Sequence, residues 1–187
     1  GNIPPRDRTV HNEASGFCRL FFPYINNKQD LAGAEIGGIK MHAAIDVVIR
    51  RNHFHHCTRG LWLDWQAQGT RVSQNLFHDN VPPAGTEITN GLALGEDIFI
   101  EVSHGPTLID NNLLLSDCAC RISTQGIAFV HNLIAGSFTF VGEGTDNGGN
   151  KLPTPRYTPY HVPHRTEIAG FMPILHGDAR FYKNIFV

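Results

Sequence analysis

The sequence predicts an all-β protein built as a parallel β-helix, and three observations support this fold class. Five short segments share the order apolar residue, two variable residues, asparagine, one residue, apolar residue. Their asparagines are spaced 23, 37, 20 and 52 residues apart, which indicates a repeat of about 20–23 residues with two longer insertions. The apolar residues lie in short β-branched and aromatic runs, and no helical period persists over ten residues. The five asparagines are Asn52, Asn75, Asn112, Asn132 and Asn184.

Each repeat is expected to supply short strands that stack on the next repeat at about 4.8 Å. Asparagine suits a bend because it tolerates a left-handed backbone, and stacked asparagine side chains can hydrogen-bond from one repeat to the next. A β-sandwich is the alternative, but its strands usually recur about every 10 residues. Residues 1–187 are therefore predicted to form one β-helix domain with inserted loops at about 81–95 and 142–164.

Composition and charge narrow the function classes. The 187 residues are 41% hydrophobic, which is enough for a folded core and too apolar for a disordered chain. The formal net charge is −2 and lysine and arginine form no runs, so neither a nucleic-acid partner nor an anionic membrane surface is expected. No apolar run approaches the roughly 20 residues of a membrane span. Residues 1–8 show no secretion signal, which slightly favours a cytoplasmic location.

The cysteines and histidines give weaker indications. The four cysteines lack the spacing of a disulfide framework, and we interpret them as small buried side chains in a reducing compartment. They are Cys18, Cys57, Cys118 and Cys120. His53 and His55 share one face of a strand, with His56 beside them, but a third ligand is missing and no metal site is predicted.

A second strand can be aligned in three repeats by counting back from the asparagines. These strands are residues 61–65, 98–102 and 118–122. Alternate residues face opposite sides of a strand, so one apolar side should form the core. The predicted core residues are Leu61, Leu63, Trp65, Ile98, Ile100, Val102, Cys118, Cys120 and Ile122. The predicted outer residues are Trp62, Asp64, Phe99, Glu101, Ala119 and Arg121.

A column of polar side chains should cross the outer face. Asp64, Glu101 and Arg121 each lie eleven residues before the asparagine of their own repeat, so they are expected to stack. A one-residue shift of the preceding repeat places His42 beside Asp64. The same shift places Lys40 beside the aromatic residue that precedes Asp64.

Two carboxylates at neighbouring positions indicate glycosidase chemistry. Carboxyl groups about 5–5.5 Å apart are typical of retaining glycosidases, whereas inverting enzymes need about 6.5–9.5 Å. Like charges at this distance raise one pKa, which favours a protonated acid beside an ionised nucleophile. The alternative is a solvated pair of acidic residues, Asp64 and Glu101, that Arg121 or His42 neutralises.

Other side chains near the column are candidates for substrate binding. Trp62 and Phe99 would offer an apolar surface to a sugar ring, and Lys40 would lie beside Trp62. His104 follows the strand of Glu101 and is placed to line a cleft, although the Gly-Pro pair after it is also typical of a simple turn.

Two acidic segments resemble the β-xylosidases of glycoside hydrolase family 120. They are residues 60–80, GLWLDWQAQGTRVSQNLFHDN, and 96–112, EDIFIEVSHGPTLIDNN. Residues 34–46 and 181–186 are also similar to that family. The resemblance implies a right-handed parallel β-helix, with Asp64 as nucleophile and Glu101 as general acid/base. Members of the family are several times longer and carry an inserted immunoglobulin-like domain, so the resemblance implies the C-terminal part of an incomplete β-helix.

The leading hypothesis is a retaining β-xylosidase that acts on xylo-oligosaccharides without a cofactor. A polysaccharide lyase on the same fold is one alternative, with Ca²⁺ bound by acidic residues and Lys40 or Arg121 as base. A carbohydrate-binding segment without turnover is the other. Homo-oligomerisation, or association with a missing N-terminal part, stays open at this stage.

Overall fold

A computed structural model describes residues 9–10, 37–82, 84, 95–141, 151, 157–174 and 176–187. The regular elements of these residues are all β-strands. Within the same ranges there is no helix with the length and apolar character that crossing a membrane requires. The all-β prediction is therefore confirmed.

The strands follow one another at short intervals along the chain. They are β1 (Thr9–Val10), β2 (Ile39–His42), β3 (Val48–Arg50), β4 (His53–His55), β5 (Arg59–Asp64), β6 (Thr70–Ser73), β7 (Leu76–His78), β8 (Glu96–Ser103), β9 (Thr107–Asp110), β10 (Leu113–Leu114), β11 (Cys118–Val130), β12 (Leu133–Ile134), β13 (Ser137–Phe140), β14 (Tyr157–His161), β15 (Ile168–Pro173), β16 (Gly177–Tyr182) and β17 (Ile185–Phe186).

These strands pair into two large parallel sheets and one antiparallel hairpin. The larger sheet has ten strands in the order β1-β3-β6-β9-β11-β8-β5-β2, and β13 and β16 also pair with β11. The second sheet has five strands in the order β17-β12-β10-β7-β4. The hairpin consists of β14 and β15. Parallel stacking of successive repeats is therefore observed, as the sequence predicts.

The predicted right-handed β-helix, however, is wrong. A β-helix bends between its strands in every repeat, which keeps the strand stacks apart as separate sheets. Here β11 runs for 13 residues without a break and pairs with β8 along its first part and with β9 along its second. It thereby joins two stacks into one curled ten-stranded sheet. Residues 65–69 separate β5 from β6 and residues 104–106 separate β8 from β9, but no residue interrupts β11.

The core lies between the two large sheets and contains most of the predicted residues. Leu61, Leu63, Ile98, Ile100, Cys120 and Ile122 are at most 2% exposed and belong to one cluster with residues of the five-stranded sheet. Trp65 is only half-buried because β5 ends at Asp64, which leaves Trp65 in the following bend. Ala119 is predicted to face outwards but belongs to the core cluster; next to it, the register of β11 against β13 shifts between Cys118 and Cys120.

The two predicted insertions are only partly described. Of residues 81–95, the structure describes 81, 82, 84 and 95, so the prediction falls mostly outside the described residues. Of residues 142–164, it describes 151 and 157–164. Residues 157–161 form β14, which pairs with β15, so the hairpin extends to Pro173, beyond the predicted limit at 164.

The cysteines differ from the prediction at one position. Cys57 is disulfide-bonded, so the interpretation of every cysteine as a reduced, buried side chain is wrong for Cys57. Cys118 and Cys120 are free and buried, and burial raises the pKa of the Cys118 thiol to about 11. Cys18 lies outside the described residues.

Asparagine side chains connect five successive repeats. The Oδ1 of Asn75 accepts hydrogen bonds from the backbone N–H and from Nδ2 of Asn52, both at 3.0 Å. Asn112 accepts in the same way from Asn75, Asn132 from Asn112, and Asn184 from Asn132, at 2.9–3.0 Å. The predicted asparagine stack is therefore confirmed.

The left-handed backbone at these bends belongs to the residue before each asparagine. The five preceding residues have φ between 49° and 58°. They are Arg51, Gln74, Asn111, His131 and Lys183. Each left-handed residue lies between a strand of the ten-stranded sheet and a strand of the five-stranded sheet. From Asn75 onwards, the side-chain amide of the following asparagine donates to a backbone carbonyl of the neighbouring repeat.

A second polar link between repeats is centred on Asp97. Its Oδ1 accepts from Nδ2 of Asn80 at 2.7 Å, and its Oδ2 accepts from the backbone N–H of Ser116 at 3.2 Å. Asp97 is fully buried. Burial is the main cause that raises the pKa of this carboxyl to about 6, against the opposing effect of its hydrogen bonds.

We expect Asn112→Ala to lower the free energy of unfolding by about 3–5 kcal/mol, because it leaves the buried backbone N–H of Asn75 without its acceptor. The matched control is Asn184→Ala at the end of the stack, where the side chain is half-buried and a smaller loss is expected. Urea denaturation of both variants measures the difference, and equal losses would contradict a cooperative stack.

We expect Asp97→Asn to become more stable relative to the wild type as the pH rises. The folded-state pKa of about 6 lies above the usual value, so the stabilisation by protonated Asp97 is complete below about pH 4 and lost through pH 6. Two pKa units set an upper limit of about 3 kcal/mol. Urea denaturation at pH 4, 6 and 8 tests this, with exposed Asp117→Asn as control. A difference that does not change with pH would disprove it.

Candidate functional site

Four adjacent parallel strands, β2, β5, β8 and β11, carry the candidate residues. Lys40 on β2 pairs with Trp62 on β5. Trp62 pairs with Phe99 on β8, and Phe99 pairs with Arg121 on β11. These four side chains therefore form one row across the sheet.

The two carboxylates lie in the next row on the same side of the sheet. His42 pairs with Asp64, as the one-residue shift predicts. Leu63 pairs with Ile100, and Asp64 and Glu101 are the following residues of these two strands. Because neighbouring strands lie about 4.8 Å apart, the two acidic side chains start from adjacent positions.

Arg121 does not stand one repeat beyond Glu101, and that part of the predicted column is wrong. The residue that pairs with Glu101 is Ser123, whereas Arg121 pairs with Phe99. Phe99 lies 13 residues before Asn112, but Arg121 lies 11 residues before its own asparagine. The connection that follows β8 is thus two residues longer than the corresponding part of β11.

Asp64 is held by three hydrogen-bond or ion-pair partners. The Nζ of Lys40 lies 2.6 Å from its Oδ2, and Nε2 of His42 lies 3.1 Å from the same oxygen. Its Oδ1 accepts from the backbone N–H of Trp65 at 2.8 Å. The orientation of this carboxylate is therefore fixed from two sides.

The predicted outer face is buried. Asp64 is 3% exposed and Glu101 is 9% exposed, so neither carboxylate is a solvated surface group. The side chain of His42 is 59% exposed, and it is the member of this group that reaches solvent. Alternation of apolar and polar residues predicts only which residues share a face, and it does not predict that both faces are covered.

Two aromatic rings lie beside the carboxylates. The ring centres of Trp62 and Phe99 are 5.3 Å apart, and Nζ of Lys40 lies 4.2 Å from the centre of the Trp62 ring. Trp62 is 4% exposed. Its indole Nε1 is buried and has no hydrogen-bond partner among the described residues. A buried donor without an acceptor carries a desolvation cost that a ligand oxygen would relieve.

Two charged residues of this region, Arg59 and Glu96, are not among the site residues predicted from the sequence. They pair on adjacent strands and both are fully buried. The carboxylate of Glu96 is 3.5 Å from Nε of Arg59 and 3.5 Å from Nη1 of Arg121. Burial lowers the pKa of the Arg59 guanidinium, while the negative charge of Glu96 opposes that shift. The available signal was a pair of opposite charges, each three residues before one of the two aromatic residues.

His104 contacts the hairpin rather than the carboxylates. Its Nε2 lies 2.8 Å from Oγ1 of Thr158, and its Nδ1 lies 3.3 Å from the side-chain amide of Gln125. Its ring also packs against the edge of Tyr160, with ring centres 5.9 Å apart. Burial lowers the pKa of this histidine, which favours the neutral ring. Its predicted role in substrate binding stays a prediction.

The histidines near Asn52 pair with one another. Nε2 of His53 lies 2.6 Å from Nε2 of His78, and Nδ1 of His55 lies 2.7 Å from Nδ1 of His56. Ring nitrogens that face each other in pairs do not converge on a single point. Across the described ranges, no set of three or more His, Cys, Asp or Glu side chains has the arrangement of a metal site.

Comparison with known proteins gives one kind of support. No protein-family model matches the sequence, and no curated protein matches it. A solved structure that does match is that of XylC in complex with xylose, with a TM-score of 0.66 and 46% sequence identity. The match covers 82% of this chain and 21% of the XylC chain, so this chain spans about a fifth of the length of XylC. The assignment to glycoside hydrolase family 120 stays a prediction.

Proposed function

We propose that this chain contributes the catalytic carboxylates of a retaining glycoside hydrolase that releases xylose from xylo-oligosaccharides. The observation that carries the proposal is the position of Asp64 and Glu101 on adjacent strands, on one side of the sheet and beside two aromatic rings. The similarity to a protein that binds xylose, at 46% identity, supports the choice of sugar.

The proposed reaction is a double displacement. An oxygen of Asp64 attacks the anomeric carbon and forms a glycosyl ester, while Glu101 gives its proton to the leaving glycosidic oxygen. Glu101, now ionised, then takes a proton from water. The resulting hydroxide attacks the anomeric carbon on the side that the leaving group vacated, and Asp64 leaves on the opposite side. Both groups are side chains, so the reaction requires no cofactor. Lys40 and His42 fix the attacking carboxylate through the contacts to its Oδ2.

The aromatic pair provides the proposed binding surface for the sugar. An apolar face of xylose packs against Trp62 or Phe99, and a hydroxyl oxygen accepts a hydrogen bond from Nε1 of Trp62. That bond forms only when the ligand is bound, because the described residues offer the indole no acceptor. His42, at the solvent-exposed side, marks the direction from which the sugar enters.

We expect Asp64→Asn and Glu101→Gln each to lower kcat/KM for a xyloside with a poor leaving group by at least about 10³-fold, since each removes an essential group. Glu101→Gln should lose much less activity with a dinitrophenyl leaving group, which needs no protonation. Asp117→Asn is the control for loss of an exposed carboxylate and should retain wild-type activity. NMR of the first product should show retained anomeric configuration.

Four results would contradict this assignment. Wild-type turnover in either variant would remove that carboxylate from the mechanism. An inverted product would exclude the glycosyl ester. Calorimetric binding of xylobiose without hydrolysis would instead make the chain a carbohydrate-binding segment, and an unsaturated product from polygalacturonate would favour the lyase.

We expect Trp62→Phe to raise KM about tenfold with a smaller change in kcat, because it keeps a ring but loses the donor to a sugar hydroxyl. Trp65→Phe is the matched control, since Trp65 is half-buried in the bend after β5. Steady-state kinetics on the same aryl xyloside measure both. An unchanged KM in Trp62→Phe would show that the indole N–H does not contact the substrate.

A further inference from the structure

A cluster of buried charges lies beside the paired carboxylates. The carboxylate of Glu96 lies between two guanidinium groups, at 3.5 Å from Arg59 and 3.5 Å from Arg121. Glu96 and Arg59 are fully buried, and Arg121 is 5% exposed. Charges removed from water are costly unless opposite charges compensate them. Glu96 thus supplies a negative charge close to both guanidinium groups.

The cluster reaches the proposed site through the aromatic pair. The guanidinium carbon of Arg59 lies 4.3 Å from the ring centre of Trp62 and 5.3 Å from that of Phe99. The guanidinium carbon of Arg121 lies 5.4 Å from the Phe99 ring centre. Each ring stands two residues before one of the two proposed catalytic carboxylates, on the same side of its strand. Both of those carboxylates also attract Arg59 electrostatically.

Each strand of this region contributes charged or titratable groups. They are Lys40 and His42 on β2, Arg59 and Asp64 on β5, Glu96, Asp97 and Glu101 on β8, and Cys118, Cys120 and Arg121 on β11. The Cys118 thiol is neutral because burial raises its pKa to about 11. Asp97 is hydrogen-bonded to Asn80 and Ser116. Lys40 is paired with Asp64. Glu96 is the carboxylate that lies 3.5 Å from each of the two guanidinium groups, so removal of its charge makes the cluster more positive by one unit.

We propose that Glu96 is a positioning residue that neutralises Arg59 and Arg121, so that Glu101 keeps the proton that a general acid must donate. This inference rests on the proposed function. Uncompensated cations near a carboxyl group favour its ionised form and lower its pKa. A general acid that is already ionised cannot protonate the leaving oxygen, and the pH range of activity becomes narrower on its basic side.

The test is Glu96→Gln, which keeps the shape of the side chain and removes its charge. We expect the basic limb of the kcat/KM profile on a poor-leaving-group xyloside to move down by about one pH unit. With a dinitrophenyl xyloside the limb should move less. Glu96→Asp retains the charge and should return the limb towards its wild-type position.

A double variant separates charge from folding. Glu96→Gln/Arg121→Gln removes one charge of each sign, so it should fold even if Glu96→Gln alone does not. The basic limb of its kcat/KM profile should lie closer to that of the wild type. The proposal is overturned if the basic limb of the kcat/KM profile does not move in Glu96→Gln, or if it moves equally in Glu96→Asp.

A direct measurement distinguishes this inference from the proposed function. Carbon NMR of the chain labelled at glutamate carboxyl groups reports the titration of Glu101 whether or not the chain hydrolyses xylosides. We expect the titration to shift down by about one pH unit in Glu96→Gln. An unchanged Glu101 titration disproves the role of Glu96, whereas a shifted titration in a chain without hydrolase activity disproves only the proposed function.

Discussion

Hydrogen bonds between asparagine side chains hold the repeats in register, and the position of the candidate site depends on them. From Asn75 onwards, each Oδ1 accepts two N–H groups of the asparagine one repeat before, and four of the five asparagines are at most 3% exposed. A slip of one residue would leave several buried donors unpaired at once, each with a cost of about 1–3 kcal/mol. The strands that precede these bends inherit that alignment. Asp64 and Glu101 share a side of the sheet because both lie eleven residues before their own asparagine.

The asparagine stack fixes only one end of each repeat, which explains what the sequence could predict and what it could not. Counting eleven residues back from each asparagine aligned β5 with β8 correctly, because the same number of residues separates each of these strands from its asparagine. The same count failed for Arg121, because β11 continues without a break where the other repeats bend between two strands. The same continuous strand merges two stacks into one curled sheet and overturns the predicted β-helix. Whether a short segment bends or stays extended is decided by packing, and the repeat pattern does not contain that information.

Burial of the second face of the ten-stranded sheet could also be predicted only in part from the sequence. Strand alternation identified most of the core residues, since apolar residues with a period of two collect on one side. Trp62 and Phe99 on the opposite side were the available indication that this side is covered as well, and they are 4% and 1% exposed. A face that carries both large rings and charged groups, away from water, differs from the solvated surface that a two-sided strand pattern usually predicts. Arg59 and Glu96 were missed because charged residues at a strand end are usually solvated.

Burial gives the charges on this face their chemical significance. In water, neighbouring charges are screened, and a carboxylate such as Glu96 would hardly affect a second carboxyl group several ångströms away. Within a low-dielectric region the same groups act on one another strongly, and every charge requires a partner. Lys40 compensates Asp64 directly, and Glu96 lies between two guanidinium groups. The cluster thus meets the requirement of folding, that buried charges be paired, and it also sets the field at Glu101. Since one group of side chains serves both purposes, a substitution there changes stability and the protonation of the proposed acid together, and only a pH-resolved measurement separates the two.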